Sequence, residues 1–139
     1  MYQIAHDVKI HCFKEDLYEL VSTAAGLQQW WTFQSEGVLG INNEYRLFFS
    51  EKHDWKAKIM EFSENESISF LMTQSPEDWR QTIVSFELMD LQNHEILLRF
   101  EHRNWREIND YFRESSFYWA MYLNDLKKLA EKMYHNKAG

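Results

Sequence analysis

The feature that most constrains this chain is an apolar stripe near its C-terminus. Phe112, Ser116, Trp119, Leu123, Leu126, Ala130 and Met133 recur at steps of three or four, the spacing of one helical face. Tyr122 and Leu129 widen the stripe, and a helix is predicted from about Asp110 to Asn136. Asp110 and Glu114 stand near its start and Lys127, Lys128, Lys132 and Lys137 near its end, as the helix dipole favours. No Gly or Pro interrupts the run before Gly139. A helix so one-sided must bury its stripe against another layer.

The preceding chain supplies that layer. Ile4, His6, Val8, Ile10 and Cys12 alternate with Ala5, Asp7, Lys9 and His11, which predicts a strand with one apolar face. Leu17, Leu20, Val21 and Ala24 switch to helical spacing, Gly26 is expected to end that helix, and Leu27 to Trp31 form a second short helical turn. Six strands follow. A short one spans Gly37 to Leu39, and the others centre on Tyr45/Leu47, Trp55/Ala57/Ile59, Ile68/Phe70/Met72, Val84/Phe86/Leu88 and Ile96/Leu98/Phe100/His102. Glu61 falls on the inward parity beyond Ile59 but near the strand end, where it either faces the interior or simply reaches solvent, while Glu87 and Glu101 fall outward. Ser75-Pro76-Glu77-Asp78 reads as a turn. Short connections favour antiparallel neighbours, so the expected class is α+β, with a meander wrapped round the last helix.

Charge and composition remove several functions. The net charge is -7, from 15 basic and 22 acidic residues, and no Lys/Arg block is present, which excludes a phosphate-backbone footprint for nucleic acid. No apolar run reaches membrane-spanning length and the first residues lack a signal-peptide core, so a cytoplasmic protein is expected. Cys12 is the single cysteine, so an intrachain disulfide is excluded, and it reads as a small core residue. His6, His11, His53, His94, His102 and His135 form no helical i, i+4 pair, and no Cys cluster, nucleotide loop or nucleophile motif accompanies them. No metal and no cofactor is expected.

Three places carry a family resemblance: Val8 to Trp31 with Gly26-Leu27 and Trp30-Trp31, the strand end Leu98-Arg99-Phe100-Glu101-His102, and Trp119 with Leu123 and Leu126. With this element order the chain resembles the START-like, Bet v 1-like (SRPBCC) superfamily, and within it the activator of Hsp90 ATPase group. The resemblance implies a single START-like domain over residues 1–139 with the helix-grip fold. In that fold a curved antiparallel sheet of six to seven strands holds a long C-terminal helix, with two short helices after the first strand. It implies either binding of small hydrophobic molecules or lipids, with a role in stress response, or a co-chaperone-like protein-interaction module on the outer sheet surface. The chain has Phe13-Lys14-Glu15 where the family often has proline, and Arg103-Asn104-Trp105 where glycine often follows the strand.

The inward residues admit two readings, a filled core or a partly open apolar cavity for a small hydrophobic or aromatic ligand. The expected wall is Trp31, Trp55, Phe70, Met72, Phe86, Phe100, His102 and Trp119. His102 is the polar candidate, either orienting a ligand or serving as acid or base in a cyclase- or hydrolase-like enzyme. The plainer reading satisfies it with a backbone carbonyl or a neighbouring side chain. No second catalytic group can be named, so catalytic residues are left as none and a binding role is preferred. Ser115-Ser116 are expected to let the helix approach the sheet. Phe117 and Met121 lie away from the apolar stripe, under a covering loop or at a subunit contact such as a homodimer.

Overall fold

A computed structural model of the protein describes residues 1–138. The elements are β1 (Tyr2–His11), α1 (Lys14–Ser22), α2 (Ala24–Leu27), β2 (Gln34–Glu36), β3 (Glu44–Ser50), β4 (His53–Ser63), β5 (Ser67–Gln74), β6 (Ile83–Asp90), β7 (Glu95–Trp105) and α3 (Asp110–Ala138). The seven strands form one sheet in the order β1-β7-β6-β5-β4-β3-β2. Every pairing is antiparallel. The meander from β2 to β7 is closed by β1, which pairs with β7 from Tyr2↔Trp105 to His11↔Glu95. The helix-grip α+β architecture is therefore present, with α3 held on the apolar face of the sheet.

Alternation explains the core. Tyr45, Leu47, Ala57, Ile59, Ile68, Phe70, Met72, Val84, Phe86, Leu88, Ile96, Leu98, Phe100 and His102 are all buried on one face. They meet Trp119, Leu123, Leu126 and Ala130 of α3. At the start of α3 it is Ser115 that is buried, while Ser116 is half-buried. Strands of this length bend where the ladder slips. Register shifts break the pairing between Tyr2 and Ile4, Phe48 and Ser50, and Ile59 and Glu61.

Several local expectations are corrected. The shift after Ile59 sets Glu61 opposite Ser69, so Glu61 is exposed rather than inward. The first short strand is Gln34–Glu36, ahead of Gly37–Leu39. The first helical segment ends at Thr23 and not at Gly26. Thr23 is extended and its hydroxyl accepts from the Gly26 N–H at 2.9 Å, which caps α2. Gly26 instead permits close packing, since a Cβ there would lie 2.7 Å from Leu20 Cα and against the Glu19 carbonyl.

Polar tethers hold α1 and α2 on the sheet. Tyr45 donates to the Ser22 carbonyl at 2.7 Å, Tyr18 to the Ser67 carbonyl at 2.9 Å, and the Trp30 indole to the Leu20 carbonyl at 2.8 Å. Burial pushes both phenols up to about 12, so they remain donors at neutral pH. Burial also pushes the Cys12 thiol up to about 12, which keeps it protonated and unreactive. Among the described residues, no helix is long and apolar enough to cross a membrane, and no group of three His, Cys, Asp or Glu is placed to hold a metal ion.

Candidate functional site: an aromatic cavity between sheet and helix

Two tryptophans and a histidine build the floor of the site. His102 ends the inward row of β7 and is 0 % exposed. The Trp119 indole N–H can only donate, and it lies 3.1 Å from His102 Nδ1. Nδ1 therefore carries the lone pair and Nε2 the proton. Nε2–H donates to the Thr82 hydroxyl at 2.7 Å, and that hydroxyl donates in turn to the Trp79 carbonyl. The Trp79 indole N–H donates to Ser115 Oγ at 3.1 Å on α3. The chain of bonds thus ties α3, β7 and the β5–β6 connection together. Burial pushes the His102 imidazolium down to about 3, so the ring is neutral at physiological pH.

Above this floor lies a cavity of about 230 Å³. Trp31, Phe49, Trp55, Trp79, Trp119, Tyr111, Tyr118 and Tyr122 supply rings to its wall, and His53 and Ser115 complete it. Tyr118 and His53 are exposed, so the cavity meets solvent at that end. The rings brace one another: Trp79 stacks on Trp119 with centroids 5.8 Å apart at 18°, Trp31 tilts on Trp119 at 5.0 Å, and Trp55 on Trp79 at 4.9 Å. Among the described residues, no carboxylate, Lys or Arg is in the wall. Burial, with Asp78 and Glu114 nearby, raises the Tyr111 phenol above its ordinary value. Such a wall binds by dispersion and ring contact, and the phenol and imidazole groups at its mouth can orient a polar substituent.

The expected wall residues divide into two groups. Trp31, Trp55 and Trp119 line the cavity. Phe70, Met72, Phe86, Phe100 and His102 do not line it; they are buried in the core. His102 makes both of its ring hydrogen bonds inside the protein, which leaves it no lone pair or proton for a ligand. Glu61, Glu87 and Glu101 lie on the outer face of the sheet among Ser67, Ser69, Ser85, Arg99 and Arg103. Phe117 and Met121 are exposed on α3, and no loop among the described residues covers them.

Sequence reasoning missed Trp79 and Ser115 as partners. Trp79 follows the Pro76 turn, outside any alternating run, and its backbone N–H is bonded to the Pro76 carbonyl at 2.9 Å. Its type was the only signal, a large apolar ring within a polar turn. Trp105 is also fully buried, because Asn104 at φ 71 turns the strand end and swings the next side chain inward. It backs Trp79 and Tyr111 and does not line the cavity. Its indole nitrogen has no hydrogen-bond partner among the described residues.

Comparison with solved structures gives the same architecture. The Aha1 dimer from Colwellia psychrerythraea matches with TM-score 0.85 and 28% identity, over 94% of this chain and 97% of that one. Protein MLL2253 from Mesorhizobium loti matches with TM-score 0.82 and 12% identity, over 94% and 98% of the two chains. Protein BH1534 from Bacillus halodurans matches with TM-score 0.75 and 16% identity, over 94% and 98%. The last two show the fold alone. Comparison with curated proteins gives no match. The sequence model of activator of Hsp90 ATPase homolog 1-like proteins matches residues 12–131. The chain belongs to the activator of Hsp90 ATPase homolog 1-like family, within the SRPBCC-type helix-grip proteins.

Proposed function

We propose that this protein binds a small apolar or aromatic molecule in the cavity between β4, the β5–β6 connection and the first half of α3. The observation that carries this reading is a contrast within one interior. From Ile10 to Phe100 the inward side chains are buried against one another, yet beside Trp119 about 230 Å³ stays open behind a wall of rings. Apolar cavities of about 150 Å³ take up benzene, and drug-sized ligands need about 300 Å³ or more. The fitting occupant is therefore one ring with small substituents, not an extended lipid. The related Colwellia protein is described as a dimer, and a homodimer is the assembly proposed here as well. Native mass spectrometry of protein purified from its own host tests both points. The expected spectrum is a dimer with a small adduct that collisional activation releases. A bare protein, together with no uptake of added indole, removes the ligand reading.

One observation favours a second reading, a protein-interaction module. Phe33, Val38 and Ile41 are exposed around the short edge strand β2. This apolar surface is at the sheet edge, while the outer sheet face is charged and hydroxylated. Phe33→Ser with Val38→Ser separates the readings, since loss of a partner in pull-down with indole uptake intact assigns that edge to a protein contact.

A further inference from the structure

Helix α3 has a second stripe, and it faces away from the sheet. At about 100° per residue, Asp110, Glu114, Phe117, Met121, Lys128 and Lys132 fall within an arc of about 60°. All of them are exposed. Phe117 is 64% exposed and Met121 50%, and Tyr118 beside them is 53% exposed. The stripe has an order: acidic at the N-terminal end, apolar in the middle, basic at the C-terminal end. None of its four charged residues has an ion-pair partner among the described residues, although other charges on the molecule, such as Lys127 with Glu131 and Lys137 with Asp16, do.

We infer that this stripe is the dimer interface, formed by antiparallel packing of α3 on α3 of a second copy. Antiparallel pairing about the middle of the stripe sets Phe117 on the partner's Met121. The same register sets Asp110 opposite the partner's Lys128, and Glu114 within one helical turn of that lysine. Parallel pairing would set acid on acid and base on base. Exposed ion pairs add little energy, so the charges select the direction and the buried rings and thioether supply the affinity. The contact repeats over a helix length of about 27 Å, enough for several turns on each side.

The interface reaches the cavity through Tyr118. Its ring packs edge-on to Phe117 with centroids 5.8 Å apart, and it also lines the cavity mouth. A second helix laid along Phe117 and Met121 covers the exposed side of Tyr118. Dimerisation therefore narrows the opening to Trp31, Trp55 and Trp79. This inference rests on the homodimer proposed above and is independent of what the cavity binds.

The test is sedimentation velocity over a concentration series, with thermal melting as a control for folding. The wild type is expected to dimerise, and Phe117→Asp with Met121→Lys to be monomeric with an unchanged fold. Glu114→Lys and Lys128→Glu should each weaken the dimer about tenfold or more, a shift of about 1.4 kcal/mol. Mixed in equal amounts, the two charge variants should associate, because both cross-contacts then join opposite charges. Acrylamide quenching of tryptophan fluorescence should fall as the wild type dimerises and stay constant in the monomeric variant. A wild type that remains monomeric at millimolar concentration overturns the inference. So does a dimer that survives Phe117→Asp with Met121→Lys, or charge variants that assemble like the wild type. A dimer with unchanged quenching overturns the link to the cavity. None of these readouts uses a ligand, so their failure is distinct from failure of the ligand reading.

Discussion

The Trp119 indole donates its N–H to His102 Nδ1 at 3.1 Å, and this one bond fixes the state of the histidine. With Nδ1 accepting, the ring must be the Nε2–H tautomer, hydrogen-bonded at both nitrogens inside the core. An imidazole spent in this way is a structural strut between β7 and α3. Nitrogen-15 chemical shifts should show an unprotonated Nδ1 and a protonated Nε2 at neutral pH. A protonated Nδ1 would contradict the bonding described.

Acid should weaken the fold through the same residue. Burial lowers the folded-state value of His102 from 6.5 to about 3. The unfolded chain therefore binds a proton that the native state refuses, so stability is full above about pH 6.5 and drains away as pH falls toward 3. Urea unfolding at about pH 7 and pH 5.5 should differ by about 1 kcal/mol from this group alone. His102→Gln should flatten that slope, whatever its effect on absolute stability. An equal slope in the variant would assign the acid sensitivity elsewhere.

Thr82 is the acceptor that keeps the His102 Nε2–H satisfied. Thr82→Val preserves shape and removes the oxygen, leaving a buried donor unpaired at a cost of about 1–3 kcal/mol. Thr82→Ser retains the hydroxyl and should cost much less. Equal losses in the two variants, measured by chemical denaturation, would mean that the methyl group and not the hydrogen bond matters at this position.

Backbone geometry gives a paired prediction. Gly26 has no room for a Cβ beside Leu20 and Glu19, so Gly26→Ala should destabilise by about 1–3 kcal/mol through a forced shift of α2 against α1. Asn104 sits at φ 71 and turns Trp105 into the core. Asn104→Ala should cost about 1–2 kcal/mol, while Asn104→Gly should hold stability. Thermal melting of these variants checks both positions, and an Asn104→Ala as stable as Asn104→Gly would show that the turn does not need the left-handed conformation.

The fold was legible because two periodicities never conflict. Alternation in Ile68/Phe70/Met72 and in Ile96/Leu98/Phe100/His102 marks one face of the sheet, and the Trp119/Leu123/Leu126/Ala130 spacing marks the helix that covers it. What escaped were the positions where the count slips. The irregular pairing after Ile59 turns Glu61 outward, and the left-handed Asn104 turns Trp105 inward, and a residue pattern records neither event in advance. The site was half legible for a related reason. Parity tells which side chains point inward, but not whether an inward ring meets another ring or empty space. Phe70 and Phe86 therefore looked like Trp31 and Trp55, although only the latter pair borders the cavity. Trp79 comes from a turn, where no periodic signal operates.

The most direct test of the binding account is a titration of nitrogen-15-labelled protein with unlabelled indole, followed at the indole N–H resonances of the six tryptophans. The account predicts that Trp31 and Trp55, on the cavity wall, shift along one saturable curve. Trp30, bonded to the Leu20 carbonyl, and Trp105, behind the wall, should stay in place. Six resonances that do not move, or that all drift together without saturation, would contradict it.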